Sequence, residues 1–442
     1  MQYELTDYKI EEPSIKDECQ ESNSKVEHER PANASFLSCW TVLSKTAIGV
    51  GLLGLAAATA VCGWILGIIL LVIAGTSAMF TLHLINCMIM KMGRRHVSFY
   101  TVADRFAPFA RWIVDIAIAI KSLGVGTAYF QVYGNELARF ITQVAPGVSE
   151  LMSFFVLRML VILLGLAAML PICFRKSIAK TTIINILGII GIAYIVVIGV
   201  VFTDADYAGG YTSVGPTGSF VAIAAKLPIF IFTFTAHQNM FLVGEDMKDR
   251  SQTNLDKVAF FSQLTGWCFF IPALICPYVT YGSSVRSNFL ESMSANTEIG
   301  GSVAVLMGGL ALSIAEISAY PLQLFPCRKS TMVLATRGRD MSVATERRMR
   351  RITTTVILSL CTTISIFVQD LGVTLSLVGI IGSNTICFIM PSFLYCRAFD
   401  RSENPVKWFA SATVCGISTL LLPICFTAIV YNAVNGGKTT SK

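Results

Sequence analysis

The chain has 442 residues, of which 54% are apolar and only 14% charged, and its mean hydropathy is +0.65. A soluble domain carries about 25% charge, so the composition excludes an ordinary soluble enzyme and points to an all-α polytopic membrane protein. The formal charge of +7 does not indicate nucleic acid, because the basic residues fall in short connections between apolar blocks, where they set topology.

The first stretch, residues 1–35, is polar and holds nine acids against four bases. Low apolar content and a net negative charge predict a disordered acidic tail. It does not read as a cleavable signal, and the first apolar span is expected to act as an uncleaved insertion signal. That span, from about 37 to 59, carries Lys45-Thr46-Ala47-Ile48-Gly49-Val50-Gly51-Leu52-Leu53-Gly54-Leu55. Each glycine weakens a helix by about 1 kcal/mol relative to alanine. Within lipid, loosened backbone is tolerated only where it lines a cavity or is buried in protein. An interrupted first helix is therefore expected.

Further apolar runs follow at about 63–91, 111–142, 151–172, 180–202, 219–244, 257–281, 301–325, 352–369, 372–396 and 406–432, eleven spans with the first. With the N-terminus in the cytosol, 26 of the 34 Lys and Arg residues lie on the cytosolic side or in its tail and five on the opposite side. That asymmetry predicts the orientation. Lys45, Lys121 and Lys226 are left inside spans. Residues 434–442 are read as a short non-cytosolic tail.

The sixth span gives the first a partner. It reads Pro228-Ile229-Phe230-Ile231-Phe232-Thr233-Phe234-Thr235-Ala236-His237-Gln238-Asn239, with a proline near its start and a polar patch at mid-membrane. Broken helices at equivalent positions of two inverted repeats hold the cargo in many secondary transporters. A five-plus-five arrangement, with repeats at about 37–202 and 219–396 and an extra helix at 406–432, puts these two breaks together within one transporter domain, 36–433. Bare N–H groups and helix dipoles at such breaks bind a carboxylate, and bare carbonyls bind an ammonium group or a cation. A zwitterion needs both.

Candidate cargo-binding residues are Thr46, Gly49, Val50, Gly51, Phe232, Phe234, Thr235 and Tyr129, with Phe241, Gln131 and Tyr133 as further cavity candidates. Candidate ion-coupling residues are Lys45, Glu316, His237 and Ser313. Lys45 lies eight residues into its span, roughly 12 Å along the axis, a depth at which charge is costly and functional or paired. Glu316 lies at similar depth in the eighth span, so the two head groups are expected to approach, directly or through water. The competing reading is that Lys45 reaches back to the membrane surface. His237 titrates near physiological pH in the absence of perturbation, and the reading favoured over proton carrying is a hydrogen-bonding cap of the unwound helix. No metal-ligand spacing and no Cys-x-x-Cys pair occurs, so no metal or other cofactor is expected.

Four motifs carry a family resemblance. The glycine run with Gly63-Trp64, Phe234-Thr235-Ala236-His237-Gln238-Asn239-Met240-Phe241, Leu170-Pro171-Ile172-Cys173 with Lys176-Ser177, and Pro321-Leu322 with Phe325-Pro326-Cys327-Arg328 occur in that order. They resemble the amino acid/auxin permease family, in its vacuolar and neutral amino acid branches. The resemblance implies a LeuT-like fold and coupled transport of amino acids, with no enzymatic activity. Two departures are present. Ala56 stands where members commonly have proline, and Lys45 stands where sodium-coupled members often have asparagine. The second favours the proton over sodium as the coupling ion. The resulting expectation is a proton-coupled amino acid symporter of a plasma, vacuolar or lysosomal membrane. An uncoupled facilitator or exchanger, or a sodium-coupled symporter of the same fold, are the alternatives.

Overall fold

The computed structural model describes residues 33–174, 182–207, 212–337 and 341–439, so most of the acidic tail and residues 175–181 lie outside the described residues. Serine side chains start many of the helices. Ser35, Ser153, Ser219, Ser302 and Ser342 each accept a hydrogen bond from a backbone N–H in the first turn that follows. This satisfies donors that lipid would leave bare.

The first span is α1 (Phe36–Ala47) and α2 (Leu55–Cys62), joined through a single 3-10 stretch, Val50–Gly54. Gly63, at φ +75°, makes the turn into α3 (Trp64–Met92). A short α4 (Phe99–Phe106) precedes the long α5 (Arg111–Val144). Then come a single turn, α6 (Val148–Leu151), α7 (Phe154–Cys173) and α8 (Thr182–Val201). The sixth span is α9 (Phe220–Thr233) and α10 (His237–Asp246), with Phe234–Ala236 outside both. Next are α11 (Gln252–Tyr281), a short α12 (Phe289–Ala295), α13 (Val303–Thr336) and α14 (Val343–Phe367). The tenth span is α15 (Leu371–Val378) and α16 (Met390–Ala398), and α17 (Pro405–Thr439) closes the chain.

Among the described residues, nine helical stretches are long and apolar enough to cross a membrane, and Ile186–Val201 is a shorter apolar helix. The helices above overlap the expected spans. α14, at the expected span 352–369, is not among the nine because its first turns hold Glu346, Arg347, Arg348, Arg350 and Arg351. Helix limits also differ from expectation. α13 continues to Thr336 through Pro321 and Pro326, and α17 continues to Thr439. Between α15 and α16 the chain winds as two π turns, Gly379–Ser383 and Thr385–Ile389, where a plain helix is expected.

The burial pattern sorts the helices into centre and periphery. In the most apolar window, 78% of the α1–α2 pair and 78% of the α15–α16 span are buried inside the protein, against 22% for α17. A helix that is apolar all round and shows most of its surface faces lipid. α5 and α13 pack along each other at the centre, with α7 and α14 outside them. The α1–α2 pair packs against α11, and α9 against α15 and α17.

Two buried arginines fasten the α5/α7/α13/α14 unit at opposite ends. Arg158, 1% exposed, donates to Asn135 of α5 and to the carbonyls of Ser365 and Ile366 that end α14. Arg328, 4% exposed, donates to the Cys173 carbonyl that ends α7 and to Thr354 of α14. Each caps helix carbonyls that would otherwise be unsatisfied.

Candidate functional site

The two interruptions face each other. Ile48 and Gly49 leave helical geometry at φ/ψ −86°/83° and −130°/−152°, and Ala236 does so at −130°/−2°. A methyl group added at Gly51 would lie 2.9 Å from the Phe232 ring and 3.1 Å from the Thr233 Cα. Only a residue without a side chain lets the two broken segments approach this closely. α1–α2 and α9–α10 run in opposite directions through this crossing, so helix starts and helix ends of both signs meet at one depth.

A cavity lies at the crossing. Its walls are Thr46, Ala47, Gly49 and Val50 from the first break, Lys121, Val125 and Tyr129 from α5, Phe232 and Thr235 from the second break, and Gln323 from α13. Tyr129 stands across from Gly49, whose added methyl would be 3.8 Å from the tyrosine hydroxyl oxygen. Asn239 donates to the Thr46 hydroxyl at 2.6 Å, and that hydroxyl in turn donates to the Val42 carbonyl, which ties α10 to α1 beside the cavity. Thr235 donates to the Ile231 carbonyl in the last turn of α9.

The structure thus brings Thr46, Gly49, Val50, Tyr129, Phe232 and Thr235 to one cavity. Gly51 sits directly behind it as the contact between breaks. Phe234 is placed elsewhere: its ring packs on Trp267 and Phe270 of α11, with centroids at 5.3 and 5.0 Å. Phe241 packs edge-on against Phe99 of α4 at 4.6 Å. Gln131 is spent on the Val368 carbonyl and the Thr374 hydroxyl. Tyr133 packs where α7 has Gly165.

Lys45 and Glu316 are buried to 5% and 0% exposure, and neither Lys45 Nζ nor either Glu316 oxygen has a hydrogen-bond partner among the described residues. They form no contact ion pair there, yet the lysine charge acts on the carboxylate. Both face α8. The Lys45 side chain lies over Gly188, where an added methyl would be 2.5 Å from its Cε and 3.3 Å from its Nζ. One turn further along α8, Gly191 lies against Ala315, next to Glu316. Both head groups are thus buried without a hydrogen-bonding partner among the described residues. Lys45 does not reach a surface. Ser313 donates to the Gly309 carbonyl of its own helix. His237 is fully buried at the start of α10 and its Nε2 is 2.8 Å from the Thr81 hydroxyl of α3, so it ties the second break to the neighbouring helix.

Ala47, Lys121, Val125 and Gln323 are cavity residues outside the sequence-based set. The signal for Lys121 and Val125 was present, because they precede Tyr129 by eight and four residues and so share its helix face. Nothing in the sequence marked Gln323. No group of His, Cys, Asp or Glu side chains among the described residues could hold a metal ion.

On the face where α12 lies, charges seal the crossing. Glu136 of α5, 1% exposed, accepts from Asn288 at 2.7 Å and from Arg139 at 3.2 Å. Arg139 also pairs with Glu291, which Arg286 meets at 3.2 Å. On the opposite face Ala34 forms a parallel bridge with Met247, just past the end of α10, and Arg95 donates to the Met247 carbonyl. Each end of the crossing is thus held by contacts that span different helices.

Two oppositely directed, interrupted helices around a cavity, braced on long unbroken ones, make up the architecture of the LeuT-like fold. A solved structure with this architecture, MhsT in complex with L-phenylalanine, aligns with a TM-score of 0.56 at 14% identity, over 90% of this chain and 99% of that one. Residues 32–434 match the family model described as transmembrane amino acid transporter protein, and the chain belongs to that family, the amino acid/auxin permeases. It is 27% identical over 84% of its length to vacuolar amino acid transporter 5 of Schizosaccharomyces pombe, covering 86% of that protein. It is 26% identical over 65% of its length to the Saccharomyces cerevisiae protein of the same name, spanning 64% of that relative. Sodium-coupled neutral amino acid transporter 7 of Danio rerio is 24% identical over 67% of this chain and 64% of its own length.

Proposed function

We propose that this protein carries amino acids across a membrane by alternating access, as a proton-coupled symporter and not as an enzyme. The observation that carries the reading is the cavity walled by both helix breaks, which offers bare N–H groups for a carboxylate and bare carbonyls for an ammonium group. Thr46, Gly49, Val50, Gly51, Thr235 and Tyr129 would hold the zwitterionic part, with Phe232 against the side chain.

Lys45 supports the proton over sodium. A fixed ammonium between α1, α8 and α13 already supplies positive charge opposite Glu316, and a sodium ion there would meet it at short range. The Lys45–Glu316 pair would exchange a proton or a bridging water as the cavity changes sides, with Ser313 on the same helix and His237 at the second break completing the polar core. The excess of basic residues in the connections after the even-numbered spans supports a cytosolic N-terminus. Similarity to vacuolar transporters supports a vacuolar or lysosomal membrane, with the plasma membrane as the alternative.

Reconstitution of the full-length protein in liposomes tests this. Uptake of a labelled amino acid panel should be driven above equilibrium by an imposed proton gradient and should be indifferent to replacing sodium by potassium. Accumulation driven by sodium at equal pH would replace the proton with sodium. Exchange without accumulation would make the protein a facilitator.

A further inference from the structure

Lys121 takes no part in the cycle just described, yet it lies at its centre. It stands on α5 at the depth of the two breaks and shares the cavity wall with Val125 and Tyr129. The residue is 2% exposed. Among the described residues no carboxylate, carbonyl or hydroxyl is within hydrogen-bonding distance of its ammonium group, and the residue is not among those with a further partner.

Its surroundings are built to hold this side chain. The first π turn of the tenth span brings Gly382 onto α5 at Lys121, where an added methyl would lie 2.5 Å from the lysine Cβ and 2.8 Å from its Cα. π turns are rare and concentrate at functional positions. Cys387 in the second π turn and His237 at the start of α10 lie within electrostatic reach of the ammonium group, and neither supplies negative charge as a carboxylate would. The other deep charges near the crossing, Lys45 and Glu316, are of opposite sign and act on each other. Asp115, the other acid of this part of α5, lies toward the end where α5 begins and is engaged electrostatically with Lys329. Among the described residues, no carboxylate is paired with the Lys121 amine at the cavity wall.

A buried charge without a counter-ion is among the least favourable arrangements in a protein, and more so within a bilayer. It is tolerable at a cavity wall when the occupant brings the opposite charge. The broken helices already serve the α-carboxylate and α-ammonium groups. We propose that Lys121 is a specificity-determining residue that binds the side-chain carboxylate of an acidic amino acid, so that the site selects cargo with two carboxylates over neutral amides and over cationic amino acids. This rests on the transport reading above and names its substrate class.

Counterflow in liposomes containing the full-length protein decides it. Unlabelled glutamate or aspartate should compete with labelled glutamate at concentrations at least about tenfold lower than glutamine or asparagine, and arginine should not compete. Lys121→Gln should abolish that preference, bringing glutamate and glutamine to equal competition, and Lys121→Arg should keep it. Equal competition by glutamate and glutamine in the unsubstituted protein overturns the proposal alone. So does an equal loss of both in Lys121→Gln that folds normally by size-exclusion profile. If Lys121→Gln does not fold, the unsubstituted panel with Lys121→Arg carries the decision. A protein that exchanges no amino acid at all overturns the transport reading itself.

Discussion

Four deep residues illustrate three ways in which a polar or charged side chain is held inside the bilayer. Arg158 is saturated by Asn135 and two helix-end carbonyls, so it acts as a fastener remote from the cavity. Arg158→Met should lower stability by about 3 kcal/mol, the worth of charged hydrogen bonds lost together with the stranded carbonyls. Thermal unfolding in detergent would read this, and the ion dependence of residual transport should be unchanged. Lys45 and Glu316 instead are buried with unsatisfied head groups. Lys45→Ala should abolish coupled uptake and destabilise the fold, because Glu316 is then buried with no positive charge to act on it. Adding Glu316→Gln should restore part of the stability, with a coupling of about 0.5–3 kcal/mol in a double-mutant cycle. Additive effects would mean that the two do not interact. His237 differs again, since its hydrogen bond to Thr81 gives it a structural task. An unchanged pH profile of transport in His237→Ala would remove it from the proton path.

At the scale of the helix, the decisive features are departures from regularity. The first break depends on contact as much as on loose backbone. Gly51 touches Phe232 and Thr233, whereas the nearest atom to a methyl at Gly49 is 3.8 Å away. Gly51→Ala should therefore cut transport at least about tenfold by pushing the breaks apart, since neither the ring nor the backbone behind it can retreat freely in a close-packed interior. Gly49→Ala should fold normally and change cargo affinity instead. Uptake kinetics alongside size-exclusion profiles would separate the two. The π turns of the tenth span were not legible in Leu371–Ala398, which reads as an apolar helix. Their position follows from packing: Gly379 approaches the Pro228 carbonyl and Gly382 the Lys121 backbone, and the wider turns let the helix meet both.

For the whole molecule, the two faces of the crossing are closed by chemically different means. One uses the Glu136–Arg139–Glu291–Arg286 network with α12. The other uses the Ala34–Met247 bridge and Arg95. Alternating access requires each closure to open while the other holds. Arg139→Ala should bias the protein toward opening on the α12 face. Labelling of a Val50→Cys reporter by a membrane-impermeant thiol reagent from that face should then accelerate by about tenfold, equivalent to roughly 1.4 kcal/mol. An unchanged rate would show that α12 seals the face without the ion pairs.

The apolar blocks, the basic asymmetry and the two weakened spans were enough to indicate a helical membrane protein with paired interruptions, because lipid leaves a chain few ways to satisfy its peptide groups. They also singled out Thr46, Gly49, Val50, Tyr129, Phe232 and Thr235, since helix spacing and break position are local properties. What the linear chain could not state is which way each side chain turns once helices cross. Phe234 sits one residue from Thr235 yet packs into α11, Gln323 comes to the cavity from a helix nearly ninety positions further on, and among the described residues no acid of another helix pairs with Lys121. Those outcomes depend on the angle and depth at which distant segments pack, and that is fixed by the assembled core, not by any stretch read alone.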